Sequence, residues 1–526
     1  MIAMASILIC DPLQPNAIEI MGERHEVVNR PGIEREELLE VVARFDAIVV
    51  RARTRVDSEV ISRGKKLKVI ARAGVGTDNI DVDAATQRGV LVVNSPDPSI
   101  TSVAEHTFGL LLSICRRICT ADRGLREGRW LKNELIGKEI EGKTLGIVGL
   151  GRIGTKVATM AKAFGLSILA TDPYASKSYA DRYGAELVPL DELLRRSDFV
   201  TLHVPLTEST RHLIGSEEIS RMKSGAIIVN TSRSEVVDED ALLEALEEGR
   251  ISGAALDVFQ PKNLQRFARL DNVVLTPHLG ASTVEAQSQI AELIAIEVVD
   301  ALEGRPTKNP VNIPYIDRKA FDRLKPYLRL SERMVAILTP FISSSPALIS
   351  MSLFGQAAEL PNADYLLRTA VVGLLSRFHE VNIVNAMNVA ERMGIKTQIS
   401  KGTGPATYSS SLELVVESES ATANVRGALI DTENPRITEL LGYQIEFVPE
   451  GHIILTQHRD VPGMVGLVGT KLGEAGVNIA TMHLSRKAAG QTAMMIIHTD
   501  KPVCEEIVRR IREIDGMERV ETFNLS

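Results

Sequence analysis

From the N-terminus to about residue 310 the chain alternates short runs of branched apolar residues with helical stretches and Gly or Asp turns. The runs include ASILICD, AIVVRA, LKVIARAG, VLVVNSP, KTLGIVGLG, LSILATD, DFVTLHVP, AIIVNTS, SGAALDVF and NVVLTPH. Runs with little polar alternation suit strands buried on both faces, and helices between them give the crossovers that parallel strands require. Parallel sheets covered by helices are therefore predicted, an α/β fold. The strands divide into a first set before Pro98 and a second from Lys143 to His278. A long helical segment, SVAEHTFGLLLSICRRICTADRGL, lies between the sets, and another begins at Thr283. These two helices read as hinges joining two lobes with a cleft between them.

A chain of 526 residues exceeds one hydrophobic core. From about 313 to 450 the texture becomes a long helical stretch and then a strand-rich part (SLELVVESE, YQIEFVPEG) without nucleotide motifs, which reads as a separate α+β, non-catalytic domain. From 453 to 526 the order is strand, helix, two strands, helix, strand, the βαββαβ plan of a ferredoxin-like domain. No apolar run is long enough to span a bilayer, and MIAMASILICDP lacks the basic start of a secretory signal, so a cytoplasmic home is expected, with no membrane partner. The net charge of -8 gives no general attraction to nucleic acid or anionic lipid. Cys115 and Cys119 sit at helical spacing, but no His or further Cys completes a ligand set, so they read as reduced core or interface thiols and no metal is expected.

The most informative turn follows the strand KTLGIVGL. Gly149-Leu-Gly151-Arg152-Ile153-Gly154 opens a helix, and a second strand ends at Asp172. Glycines let the backbone approach a pyrophosphate, and the helix start offers it unpaired N–H groups. Strand, turn, helix, strand and acidic residue occur in the order of a dinucleotide fingerprint. Asp172 suits the adenosine ribose hydroxyls and repels a 2′-phosphate, and the following PYASKS holds no Arg to bind one, so NAD is expected over NADP.

AGVGTDNIDVDAA, VGLGRIG, LHVPLTEST, NTSRSEVVDEDAL, ALDVF and TPHLGAST occur in the order and spacing of the D-2-hydroxyacid dehydrogenases, and over residues 4 to 310 the chain resembles that family. The resemblance implies two Rossmann-like or flavodoxin-like lobes: 1–98 with 286–312 for substrate, and 99–285 for NAD. It implies that Arg233 and His278 act on substrate beside the nicotinamide, with further cofactor contacts from His203, Pro205, Thr231, Ser232, Asp257, Gly280 and Ala281. The chemistry agrees. Oxidising a secondary alcohol needs a base near neutrality, which suits His278, and a two-pronged cation for the carboxylate or carbonyl, which suits Arg233. The family's Glu-Pro pair is here Gln260-Pro261, if two residues are missing before it. Gln260 can orient the imidazole but adds no negative charge, so a lower histidine pKa is expected. Ser234-Glu235 is a second departure, where the family usually has glycines.

Arg51, Arg53 and Arg72 lie near strand ends of the first lobe. A phosphate plus a carboxylate calls for several cations, although for Arg53 a solvated surface role is equally expected. Arg51, Arg72 and Asn94, with Gly74 and Val75, match substrate positions of the phosphoglycerate dehydrogenases, whose long form carries an intervening domain and a C-terminal ACT domain. His458-Arg-Asp460-Val-Pro-Gly463 followed by Asn478 resembles the ligand signature of serine-binding ACT domains, which implies L-serine as effector on His458, Asp460 and Asn478. Asp460 alone reads equally as a helix cap. A homodimer or homotetramer is implied as well. Two rivals stay open at this point: a dehydrogenase of an unphosphorylated 2-hydroxyacid, and a NAD-binding regulatory protein with a weakened active site.

Overall fold

The computed structural model describes residues 4–342, 344–402, 408–419, 421–431 and 433–525. The outermost positions of the first and last expected domains, 1–3 and 526, lie outside the described residues. Strands β1 (Ser6–Ile9), β2 (Glu26–Asn29), β3 (Ala47–Val50), β4 (Val69–Arg72) and β5 (Leu91–Asn94) form one parallel sheet in the order β2-β1-β3-β4-β5. This is the flavodoxin-like order. One face is covered by the helix Val284–Leu302, which comes from far along the chain. Ala286, Ile290, Ile294 and Val298, four residues apart, form its buried stripe against Ile7, Ile9, Val49 and Val69. Thr283 caps this helix, its hydroxyl accepting from the Ala286 N–H at 3.1 Å. Loss of such a cap typically costs about 1 kcal/mol. The chain then returns to β5: Asn94 N–H donates to Asn309 O at 3.2 Å, and the Asn312 side chain accepts from Val92 N–H and donates to Val90 O, both at 2.9 Å.

The second sheet contains β6 (Thr144–Val148), β7 (Ser167–Thr171), β8 (Ala185–Leu187), β9 (Phe199–Leu202), β10 (Ile227–Asn230), β11 (Gly253–Leu256) and β12 (Val273–Leu275). Its order is β12-β11-β10-β9-β6-β7-β8, all parallel. The order reverses at β6, the switch point at whose carboxyl end ligands bind in such sheets. The segment expected as one long hinge helix is two: Ile100–Cys115 and Ile118–Arg126, separated by Arg117 at φ +52°. A continuing helix would give the Cys115 carbonyl to Cys119, but Lys138 N–H takes it at 2.8 Å. Cys115 is consequently buried, its thiol pushed up to about 11 by burial, while Cys119 is exposed and both are free thiols.

Residues after 317 build a six-stranded sheet and then a four-stranded one. The helices Arg318–Leu338 and Asp364–Leu375 pack on the six-stranded sheet. The sequence suggested a helical stretch followed by strands at the far end, yet the strand Pro346–Gly355 comes early and pairs with both Ser410–Ser418 and Lys396–Gly402. In PALISMSLFG, Ile349, Met351 and Leu353 are buried while the residues between them are partly exposed, the period of a strand. The last sheet is antiparallel, in the order Ile479–Arg486, Thr492–Thr499, Gly451–Arg459, Met517–Leu525, and carries the helices Met464–Glu474 and Glu505–Arg512, the ferredoxin-like plan expected.

Side chains fasten these units together. Lys487 sits 4.7 Å over the Tyr443 ring and Arg519 4.3 Å over that of Phe341, between the two C-terminal sheets. Asn382 Nδ2 donates to Gly89 O at 2.8 Å, tying the six-stranded unit to the first lobe. Among the described residues no helix is long and apolar enough to cross a membrane, and no group of His, Cys, Asp or Glu side chains is placed to hold a metal ion.

Candidate active site

The turn after β6 lies at the switch point. Gly149 has φ +94°, and a Cβ there would stand 2.7 Å from the His203 carbonyl. A Cβ on Gly154 would stand 2.1 Å from the Gly149 carbonyl, so both positions admit only glycine in this packing. Gly151 precedes the helix Arg152–Ala163, and nothing lies within 4 Å of where its Cβ would point. The first N–H groups of that helix, at Arg152 and Ile153, thus have no intrahelical acceptor and face an open approach. Arg152 is ion-paired with Asp97, which also meets Lys308 at 3.1 Å. Asp172 accepts from Leu150 N–H and Tyr174 N–H, each at 2.8 Å, which fixes the carboxylate beside the turn. These residues fit a dinucleotide: an exposed backbone cradle, a helix start and an anchored carboxylate. His203 Nε2 meets Thr201 Oγ1 at 3.0 Å, and burial pushes its pKa down to about 3. It therefore offers a neutral hydrogen-bonding ring rather than a charge. Exposed Pro205 closes this side, its carbonyl accepting from Thr210 Oγ1 at 2.6 Å.

The loop after β10 is organised by Asn230, a residue the sequence reading passed over. Its Oδ1 accepts from Ser232 N–H (3.0 Å) and Ser232 Oγ (2.8 Å), while Nδ2 donates to Arg233 O at 2.9 Å. Thr231 meets Thr107 of the first hinge helix at 3.0 Å. Arg233 is thereby aimed across the cleft: Nε donates to Asp78 of the first lobe at 2.9 Å and Nη1 to Ser232 O at 2.8 Å. A Cβ on Gly76 would stand 1.8 Å from Nη2, so the small residue makes room for the guanidinium. Asp78 lies within AGVGTDNID, where no local pattern marks it for this contact.

Asp257, at the end of β11, is buried and accepts from Thr276 Oγ1 (2.6 Å), Leu279 N–H (2.7 Å) and Gly280 N–H (2.9 Å). Burial opposes its charge, but these donors and His106 more than offset that and hold its pKa at about 2. His278 N–H donates to the Asp257 carbonyl at 2.9 Å, and His278 itself has φ +58°. Such a conformation costs a non-glycine residue about 1 to 2 kcal/mol, so it persists only where neighbouring bonds impose it. The ring is open to the cleft yet partly desolvated by its walls. That desolvation lowers its pKa, Asp257 acts in the opposite sense, and Arg233 and Arg72 add to the lowering. Gln260 donates its backbone N–H to Glu239 at 2.8 Å, and among the described residues no hydrogen bond joins its side chain to the imidazole. Ala281 O accepts from Gln287 Nε2 at 2.7 Å, which seats the start of the second hinge helix.

From the first lobe, Arg72 is largely buried. Its pKa is pushed down to about 10, first by burial and then by Arg233, with Arg51 adding to the effect, and its Nε has no partner. Arg51 is half-buried, with Nη1 3.4 Å from Pro12 O, whereas exposed Arg53 is ion-paired with Glu34 at 2.7 Å. Asn94 Nδ2 donates to Val75 O at 2.5 Å, and Gly74 and Ser95 exchange two hydrogen bonds of 2.8 and 3.0 Å. The loops after β4 and β5 are thus locked together. Arg72, Arg233, Asp78 and His278 converge on one cleft.

The residues matched to an effector site lie in the last unit. His458 is buried with Nδ1 3.1 Å from Thr456 Oγ1. Asp460 accepts from Arg486 (2.8 Å) and Gly490 N–H (3.2 Å). Asn478 donates to Asp500 at 2.8 Å, and no hydrogen bond joins it to the other two.

Residues 108–280 match the family of the D-isomer specific 2-hydroxyacid dehydrogenase NAD binding domain, and 323–441 match the D-3-phosphoglycerate dehydrogenase intervening domain. A D-3-phosphoglycerate dehydrogenase of Methanocaldococcus jannaschii is 43% identical over 99% of this chain and 100% of its own length. That of Bacillus subtilis is 34% identical over 99% and 100%. Among solved structures, a D-lactate dehydrogenase from Aquifex aeolicus in complex with NAD and lactic acid is 31% identical, with a TM-score of 0.52 over 57% of this chain and 96% of that one. A glyoxylate reductase from Paecilomyes thermophila is 32% identical, with a TM-score of 0.55 over 59% and 98%. The structural likeness covers 57% to 59% of the chain, while the sequence likeness runs end to end. A glycine cradle at the switch point and a histidine facing two arginines, on a chain with this ancestry, make the protein a NAD-dependent 2-hydroxyacid dehydrogenase that belongs to the D-3-phosphoglycerate dehydrogenase family.

Proposed function

We propose that the chain oxidises 3-phospho-D-glycerate to 3-phosphohydroxypyruvate, the first step of L-serine synthesis, in the cytoplasm. The observation that carries this reading is the gathering of Arg72 and Arg233 around His278, with Arg51 beside Arg72, more cation than one carboxylate needs. His278, neutral because its pKa is low, takes the hydroxyl proton of the substrate. Arg233 grips the α-carboxylate and polarises the oxygen. Arg72, Arg51 and Asn94, with the backbone of Gly74 and Val75, receive the rest of the anion. NAD, when bound, supplies the hydride acceptor. Gly149, Gly151, Arg152, Ile153 and Gly154 would hold its pyrophosphate, Asp172 its ribose, and His203, Pro205, Thr231, Ser232, Asp257, Gly280 and Ala281 the remainder.

The division into 1–98 with 286–312, 99–285, 313–450 and 453–526 belongs to the same proposal, supported by the helix Val284–Leu302 packing on the first sheet. The last unit, read as an ACT domain, would bind L-serine at His458, Asp460 and Asn478 between two copies of a homodimer or homotetramer. In one chain these side chains already have internal partners, so serine binding would have to exchange them. The decisive assay is NADH formation from 3-phospho-D-glycerate compared with D-lactate and D-glycerate, with and without L-serine. Preference for the phosphorylated acid supports the substrate, and equal or better use of an unphosphorylated acid rejects it. Sensitivity to serine supports the effector, and its absence rejects it.

Gln260→Glu tests the histidine. A carboxylate near the ring favours the imidazolium and raises its pKa. Because oxidation needs the neutral ring, the acid limb of the kcat/KM profile is expected to move to higher pH. An unmoved limb would place residue 260 out of electrostatic reach of His278.

A further inference from the structure

The histidine at position 106 lies on the helix Ile100–Cys115, and its ring points at the anchor of the catalytic loop. His106 Nε2 is 3.1 Å from Asp257 Oδ1 and 3.0 Å from Thr276 Oγ1. Its side chain is only 22% exposed. The proton inventory fixes its role. Asp257 is ionised and can only accept. Thr276 has one hydroxyl proton, which it gives to Asp257 at 2.6 Å, leaving a lone pair toward His106. The donor to both must therefore be the N–H at Nε2, forked between a carboxylate and a hydroxyl oxygen. Thr276 and Asp257 in turn bracket His278: Asp257 holds the backbone of residues 278, 279 and 280, and Thr276 lies two positions before the histidine.

We infer that His106 is a positioning residue for the dehydrogenase reaction, its Nε2–H tying the hinge helix to Asp257 and Thr276 so that the left-handed His278 stays seated in the cleft. Asp257 keeps Thr276, Leu279 and Gly280 as donors without it. What His106 supplies is direction: a fixed point on the hinge helix for a loop that must keep a strained residue in place. The inference rests on His278 being the base.

The test compares His106→Gln with His106→Asn. The amide nitrogen of Gln reaches where Nε2 stands, whereas that of Asn reaches only the Nδ1 position, and both residues are neutral and polar. In NADH formation from 3-phospho-D-glycerate, kcat of His106→Gln is expected to stay close to that of the parent. His106→Asn is expected to lose about 10- to 100-fold in kcat, the effect of a displacement on the order of 1 Å at the reacting group. KM and the NADH dissociation constant should hardly change. Equal turnover of the two variants would overturn the inference. So would a loss that disappears when rates are divided by the folded fraction seen in thermal melts, because it would then reflect stability alone. His278→Asn measured alongside separates the two claims: if it turns over normally the base assignment fails, whereas a dead His278→Asn beside an unaffected His106→Asn rejects only the tether.

Discussion

Replacing His278 with Asn is expected to lower kcat for 2-hydroxyacid oxidation by about 10²- to 10⁴-fold, the worth of a positioned general base. Asn is chosen because of the backbone. His278 sits at φ +58°, which Asn tolerates and Ala does not, so the loop pinned by Asp257 should keep its shape. NADH binding, followed by fluorescence, should consequently be retained. A variant that binds NADH and still turns over at a tenth of the parental rate or better would remove His278 from the chemistry. The low pKa of this histidine has a further consequence: the ring stays neutral to lower pH than free imidazole, so oxidation should persist on the acid side of the usual histidine range.

Arg233→Lys is expected to reduce kcat/KM by about 10²- to 10³-fold, comparable with removing one preorganised donor to a developing oxyanion. The reason lies in how the guanidinium is held. Nε is taken by Asp78 and Nη1 in part by Ser232 O, while Nη2 lies over Gly76. A lysine ammonium has one nitrogen and cannot keep the tie to Asp78 while offering a planar pair of donors. It would pair with Asp78 and leave the substrate unaddressed. Steady-state kinetics in both directions would check this, and a lysine variant within tenfold of the parent would mean that the charge alone suffices. The tie also crosses the cleft, so the same substitution loosens one contact between the lobes.

Much of this was legible in the residues themselves, because the deciding features are local. A parallel sheet writes itself as uninterrupted apolar runs, and the turn from Gly149 to Gly154 is readable since two of its glycines have no substitute in the packing. The strand Pro346–Gly355 went unread because its alternation is blurred by serines, and because its partners Lys396–Gly402 and Ser410–Ser418 come far later in the chain. The break at Arg117 was invisible for a different reason: its cause is the backbone of Lys138, and no side-chain pattern announces it. Asn230, Asp78 and His106 share that property. Each works by touching a residue brought near by the fold, and an Asn, Asp or His has no periodicity from which such a role can be read. Gln260 is the converse, a position whose likeness to a family pattern suggests a tie to the imidazole, whereas among the described residues the hydrogen bond it donates is the backbone one to Glu239.

The fastening of the six-stranded unit to the first lobe has a lopsided chemistry. Asn382 and Asn385 supply the side chains, whereas the lobe contributes only the carbonyls of Gly89 and Gln87. Every amino acid brings a carbonyl, so the receiving turn can change nearly all of its side chains without losing the joint. What it must provide is room, and a left-handed backbone at Gly89, whose φ is +71°. A Cβ on residue 89 would stand 2.4 Å from Asn382, so a single methyl group there would prise the joint open from the side that appears to do nothing.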